Sequence, residues 1–250
     1  MTLALETKGL GKQFGGLEVT RDLSLKIAAG ARHAVIGPNG AGKTTVINLL
    51  TGLLKPNAGR ILLEGNDITD LPVHTRVLRG LSRTFQINQL YADLTPLETI
   101  GLVVSERLGR GGDWWRRMGT RDDVNVEIAE NLARFRLLDV MNDLTATLPY
   151  GKQRLLEIAV AIAARPRVLL LDEPAAGVPA GERHDILAAV AALPRDVTVL
   201  LIEHDMDLVF SFADRISVLV NGALLVEGPP DQVARDPRVK AVYLGEAADA

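Results

Sequence analysis

GPNGAGKT, residues 37–44, follows the apolar run HAVIG (33–37) and precedes a helical pattern over 43–52. It matches G-x-x-x-x-G-K-[ST] in the strand–loop–helix context which that pattern requires. Gly37, Gly40 and Gly42 let the backbone turn tightly, so that successive N–H groups converge on an anion. The helix start adds the positive end of its dipole. Lys43 supplies a mobile cation for β- and γ-phosphates, and the Thr44 hydroxyl suits Mg²⁺. A chance match falls in on the order of 1% of chains this long, and the flanking pattern lowers that further. The phosphate-binding set is therefore Gly37, Pro38, Asn39, Gly40, Ala41, Gly42, Lys43, Thr44 and Thr45.

Working outward, VLLLDE (168–173) reads as a buried strand that delivers Asp172 and Glu173 at its end. Ligands of open α/β sheets bind at such strand ends. An acidic pair after a strand is commonplace alone. Beside the phosphate loop, Asp172 is placed to hold Mg²⁺ through its water shell and Glu173 to orient an attacking water.

VTVLLI (197–202) and RISVLV (215–220) read as further buried strands, with helical patterns at 182–193 and 205–212. Strands alternating with helices predict an α/β fold around a mainly parallel sheet. GRILLEGND (59–67) adds an early strand with turn residues, whereas 87–165 shows helical periodicity, clearest at 127–138 and 154–164. The 231–240 stretch reads as the solvated face of a short terminal helix.

The 250 residues suffice for a full core without staples. With no cysteine, disulfides and thiol chemistry are excluded. A net charge of −3 argues against a dedicated nucleic-acid partner. The N-terminus MTLALETKG shows no secretion signal and no apolar run reaches membrane-spanning length. The chain is expected to be soluble and to meet a membrane only through partners.

Four more motifs carry a resemblance. SRTFQ ends on Gln86, LPYGKQRLLEIA carries Gly151, EPAAGVP follows the acidic pair, and LIEHD carries His204. Read alone, Gln86 is a strand end, Phe14 in KQFGG is core, and His204 is a loop residue before the helix cap Asp205. Together, their order and spacing resemble the ABC ATPase domain along nearly the whole chain. The resemblance implies one domain over 1–250. It has a P-loop NTPase core (1–86 and 165–250), an antiparallel N-terminal β subdomain, and an inserted helical subdomain with the signature loop (87–164). Two such domains close head-to-tail over two ATP molecules and hydrolyse ATP to ADP and phosphate. The resemblance puts Phe14 on adenine, Gln86 on Mg²⁺ and the attacking water, Gly151 on the other subunit's nucleotide, and His204 on the γ-phosphate.

Departures from the family narrow the match. LPYGK (148–152) stands where the signature usually reads LSGGQ. Pro149 replaces a serine hydroxyl, Tyr150 a glycine and Lys152 a glutamine, adding a cation near phosphate. Pro179 stands where aspartate is common. The LPYG loop, EPAAG, IEHDM and the tail DPRVKAVYLGE look like ATPases of branched-chain amino acid importers. That subgroup implies permease subunits, a second ATPase (or a second copy of this chain), an indirect substrate-binding protein, and a cytoplasmic place on the inner face of the plasma membrane. The alternatives are a soluble ABC-type switch and a lipopolysaccharide-export-type ATPase. Trp114 and Trp115, beside Arg116 and Arg117, read equally as a partner contact or as local packing.

Overall fold

Strands β1 (Leu3–Phe14), β2 (Leu17–Leu23), β3 (Lys26–Ala28) and β4 (Arg32–Ile36) precede helix α1 (Lys43–Thr51) in the computed structural model, which describes residues 2–84, 90–109 and 122–246. Strands β5 (Ala58–Leu63) and β6 (Asn66–Asp67), helix α2 (Val73–Leu78) and strand β7 (Leu81–Arg83) follow. Next come helices α3 (Pro96–Arg107), α4 (Asp122–Arg134) and α5 (Tyr150–Ala163). Strand β8 (Val168–Asp172), helix α6 (Ala180–Ala191), strand β9 (Thr198–Ile202) and helix α7 (Met206–Phe212) alternate. Strands β10 (Arg215–Val220) and β11 (Ala223–Gly228) and helices α8 (Pro230–Arg235) and α9 (Pro237–Glu246) close the chain.

Two sheets result. β2-β1-β5-β6, with β3 paired to β1, is antiparallel. The larger sheet runs β11-β10-β4-β9-β8-β7 and is parallel except for the terminal β10–β11 hairpin. β4, β8 and β9 are buried along their whole length. That is why β8 and β9 read as near-continuous apolar runs and not as alternating ones, while β4 buries Arg32 and His33 as well. α1 lays Val46, Ile47, Leu49 and Leu50 into the core formed with Val35, Leu81, Leu170 and Leu200, each worth roughly 1.5–3 kcal/mol of burial.

Met1–Arg83, Arg167–Glu173 and Pro194–Ala250 make up one compact unit; Thr84–Pro166 and Pro174–Leu193 make up a second. Residues 174–193, expected with the α/β core, fall in the helical unit, where α6 packs against α5. In that unit α3 opens with a capping box. Thr95 Oγ1 accepts the Glu98 N–H (3.2 Å), Glu98 Oε2 accepts the Thr95 N–H (2.9 Å), and Pro96 sits at the first helical position. The Glu127 carboxylate joins α3 and α4 by accepting from Arg107 at 2.6 Å, while Arg107 Nε also caps the Ala163 carbonyl of α5.

Several element limits differ from the sequence reading, most of them by one or two residues. The helix expected over 127–138 ends at Arg134, and Arg136 turns into the left-handed region (φ 53). The helix expected from 154 starts at Tyr150, because Pro149 is a ready entry residue. The terminal helix is two helices, broken where Asp236 adopts extended geometry before Pro237.

Two buried polar clusters hold the first unit in register. Arg76, 2% exposed, donates to the Leu49 and Leu50 carbonyls (2.8 and 2.6 Å) at the end of α1, and to those of Leu71 and Thr69. A guanidinium there satisfies the carbonyls that a helix end leaves open. In the sheet, the Ser217 hydroxyl donates to Glu227 (2.9 Å) and so accepts from His33 Nε2 (2.8 Å). Burial holds the His33 pKa down to about 4, which favours the neutral ring, and its Nδ1 is buried without a hydrogen-bond partner.

Candidate active site

The phosphate loop is shaped by backbone on three sides. Gly42, the N-cap of α1, has φ 93, and a Cβ there would lie 2.7 Å from the Val19 carbonyl oxygen. A Cβ on Gly37 would lie 2.2 Å from the Leu219 carbonyl oxygen. Gly222, in the β10–β11 turn, donates its N–H to the Ala41 carbonyl at 3.1 Å. Val46 makes the first helical bond, to Gly42 at 2.9 Å, so the preceding N–H groups face out of the helix end. No side chain caps α1, which keeps that end available to an anion. Lys43 is only 8% exposed, and its ammonium donates to the Gly37 (2.6 Å) and Pro38 (3.0 Å) carbonyls. The cation is thus held over the loop itself.

Asp172 ends β8 and is 1% exposed. Burial pushes its pKa up, and the Arg83 guanidinium, 2.7 Å from Oδ2, pulls against that. The same Arg83 donates to Asn48 Oδ1 at 2.7 Å. Asn48 lies one helical turn beyond Thr44 on α1, so Thr44 shares the face of α1 that is tied to Asp172. Among the described residues, no group of three or more His, Cys, Asp or Glu side chains is arranged to hold a metal. One hydroxyl and one buried carboxylate instead fit a hard cation that brings phosphate and water ligands with it, as Mg²⁺ does.

Glu173 takes a left-handed backbone (φ 47), uncommon for a residue with a Cβ. Its N–H bonds the Ile202 carbonyl at 2.9 Å, continuing the Asp172–Ile202 pairing of β8 and β9. This register brings His204 beside it: Nδ1 lies 3.8 Å from Glu173 Oε1 and 3.6 Å from Glu203 Oε2. Glu203, 1% exposed, also accepts the His204 backbone N–H at 3.0 Å. Asp205 caps α7 by accepting the Leu208 N–H. His204 itself is 62% exposed and so accessible to a ligand.

Lys43, Thr44, Asp172, Glu173 and His204 all lie in the first compact unit. Phe14, at the end of β1, is not core: it is 47% exposed, with the Lys12 ammonium 5.1 Å above its ring. Gln86, Trp114 and Trp115 lie outside the described residues. In the second unit, Gly151 occupies the first turn of α5. Lys152 is not turned to a phosphate position. Its ammonium binds Asp139 at 2.9 Å and the Arg136 carbonyl, closing the turn after α4. Tyr150 donates its hydroxyl to the Ala176 carbonyl at 3.3 Å. Sequence reading missed Arg83, Asn48 and Glu203. Their signal was a charged or amide side chain inside an otherwise buried run; Arg83 and Asn48 find partners distant in sequence, whereas Glu203 binds the adjoining His204.

The ABC transporter family profile matches residues 20–176, and that of the branched-chain amino acid ATP-binding cassette transporter matches 223–249. The high-affinity branched-chain amino acid transport ATP-binding protein BraF of Pseudomonas aeruginosa is 42% identical, over 97% of this chain and 98% of BraF. LivG of Escherichia coli K12, of the same description, is 38% identical over the same shares. The ADP conformation of MJ1267, an ATP-binding cassette of an ABC transporter, superimposes with TM-score 0.82 at 31% identity, over 98% of this chain and 99% of that one.

Proposed function

This chain belongs to the ATP-binding subunits of branched-chain amino acid ABC transporters, ATPases whose hydrolysis is coupled to transport, and from that premise we propose that it energises uptake of branched-chain amino acids or related polar amino acids and amides. It acts at the inner face of the plasma membrane, held by transmembrane permease subunits and paired with a second ATPase. A substrate-binding protein delivers cargo on the other side.

In this reading the α1 N-terminus and Lys43 receive the phosphates, and Phe14 meets adenine. Thr44 and Asp172 would hold Mg²⁺, which when bound would neutralise phosphate charge. Lys43 exchanges its loop carbonyls for phosphate oxygens, so its ammonium donates hydrogen bonds in both states. Closure of the pair brings the partner's signature turn, equivalent to Tyr150–Lys152, onto the γ-phosphate, and water is excluded. Fixed donors then stabilise the loose transition state of phosphoryl transfer. Glu173 orients the attacking water, His204 contacts the γ-phosphate, and Gln86 relays its loss to the helical subdomain.

The Glu173–His204 juxtaposition at the ends of neighbouring parallel strands carries the catalytic part of this reading. A Glu173→Gln variant should bind ATP with near-normal affinity. Its phosphate release should slow by about 10²–10⁴-fold, and an ATP-bound dimer should accumulate on size exclusion. Normal turnover would assign water orientation to another residue. For the partners, gentle solubilisation of native membranes should recover two multi-span proteins and a second ATPase with this chain. Recovery from the soluble fraction alone would favour the soluble-switch alternative.

A further inference from the structure

Arg83 lies in SRTFQ, three positions before Gln86, and has no nucleotide role in the sequence reading, yet its guanidinium joins the acidic strand end to α1, the helix behind the phosphate loop. One nitrogen, Nη2, donates to Asp172 Oδ2 and the other, Nη1, to Asn48 Oδ1, both at 2.7 Å. The Arg83 side chain is 9% exposed and that of Asp172 is 1% exposed, so this is an interior arrangement and not a surface ion pair. It ties β7 to the end of β8 and to the turn of α1 after Thr44. Buried ion pairs contribute little net stability once desolvation is counted. What the planar two-pronged group does supply is geometry, because it sets two acceptors on different elements at a fixed spacing.

We infer that Arg83 is a positioning residue for the Mg²⁺–nucleotide complex. It sets the Asp172 carboxylate and the Thr44 face of α1 in one frame, so that the groups serving the metal are arranged before it arrives. This rests on the reading of Asp172 and Thr44 as metal-side groups. Asp172 Oδ2 is engaged by Arg83, and the carboxylate's rotation is thereby arrested. The opposite role, a cation that competes with the metal for Asp172, would act with the opposite sign.

The test uses the full chain with ADP and Mn²⁺ as a paramagnetic probe, titrated by electron paramagnetic resonance. ADP affinity without metal is measured in parallel. Arg83→Gln should weaken Mn²⁺ binding about 10–100-fold, the usual effect of losing an outer-shell partner, while metal-free ADP affinity stays within about twofold. Arg83→Lys should be intermediate, since a point charge cannot span both acceptors. Asn48→Ala should lower Mn²⁺ affinity by a smaller factor in the wild-type chain and have no effect in Arg83→Gln. Unchanged or tighter Mn²⁺ binding in Arg83→Gln would overturn the inference, as would wild-type Mn²⁺ affinity in Arg83→Lys. If Arg83→Gln does not fold by circular dichroism, Asn48→Ala decides, and unchanged metal affinity there is the refuting result. Asp172→Asn separates the two levels. If it leaves Mn²⁺ affinity intact, the underlying metal reading fails; if it alone weakens binding, only the role of Arg83 fails.

Discussion

The phosphate loop and the signature turn are both helix starts, yet they are walled differently. Gly42 and Pro149 stand at the N-caps of α1 and α5, and neither offers a side-chain acceptor. Around the first turn the nearest neighbours are main-chain atoms, the Val19 and Leu219 carbonyls and the Gly222 Cα, with the Ala41 Cβ and Val19 Cγ1 beside them. Around the second they are side-chain ends. The Glu182 carboxylate lies where a Cβ on Gly151 would fall, the Tyr150 ring rests near Gly177, and Lys152 reaches Asp139. Main-chain walls cannot rotate away, whereas side-chain tips can. The first loop is therefore preset to a narrow tolerance, and the second can yield, as suits a surface completed only when another subunit arrives in the proposed cycle.

The same substitution in both places is the sharpest way to break that contrast. Gly42→Ala combines a left-handed φ with a clash against a carbonyl, and it should weaken nucleotide binding on the order of 100-fold, read by a fluorescent ATP analogue. Gly151→Ala meets only the movable end of Glu182, so turnover should fall by less than about threefold. Equal losses at the two sites would mean that the signature turn is as rigid as the phosphate loop. The smallest effect is expected from Pro149→Ser. Residue 149 has φ −53 and ψ 146, which a serine adopts freely, and its hydroxyl would cap α5. That should add about 0.5–1 kcal/mol, roughly 1–4 °C in Tm for a chain of this size. Basal turnover should rise with it if the missing hydroxyl limits catalysis. A lower Tm would show that the proline's restriction of the unfolded chain matters more than the missing cap.

Features encoded locally were legible in the sequence. The β4–loop–α1 unit, the strand ending in Asp172, and the strand RISVLV at 215–220 depend on short-range pattern, and they appear where the pattern puts them. The division of labour among charged side chains was not legible. Lys152 reads as a cation beside phosphate, but it is committed to a turn thirteen residues earlier in the chain. Phe14 reads alone as core and stands half exposed. Arg83 finds Asp172 across 89 positions and Asn48 across 35. Such pairings are set by strand order, β7 beside β8, which periodicity does not encode. The left-handed Glu173 likewise leaves no local trace, since nothing in the six residues VLLLDE demands it.

The wall around Gly42 has a consequence for the order in which the protein is made. Residues 37–44 leave the ribosome early, but one side of their cradle is the Asn221–Gly222 turn, some 180 positions later. A nascent chain that stops short of Gly222 carries the loop sequence without the bond that holds the Ala41 carbonyl. For the same reason the motif is not a transplantable cassette. A fragment cut out around α1 would keep every residue of the consensus and lose the architecture that gives it shape.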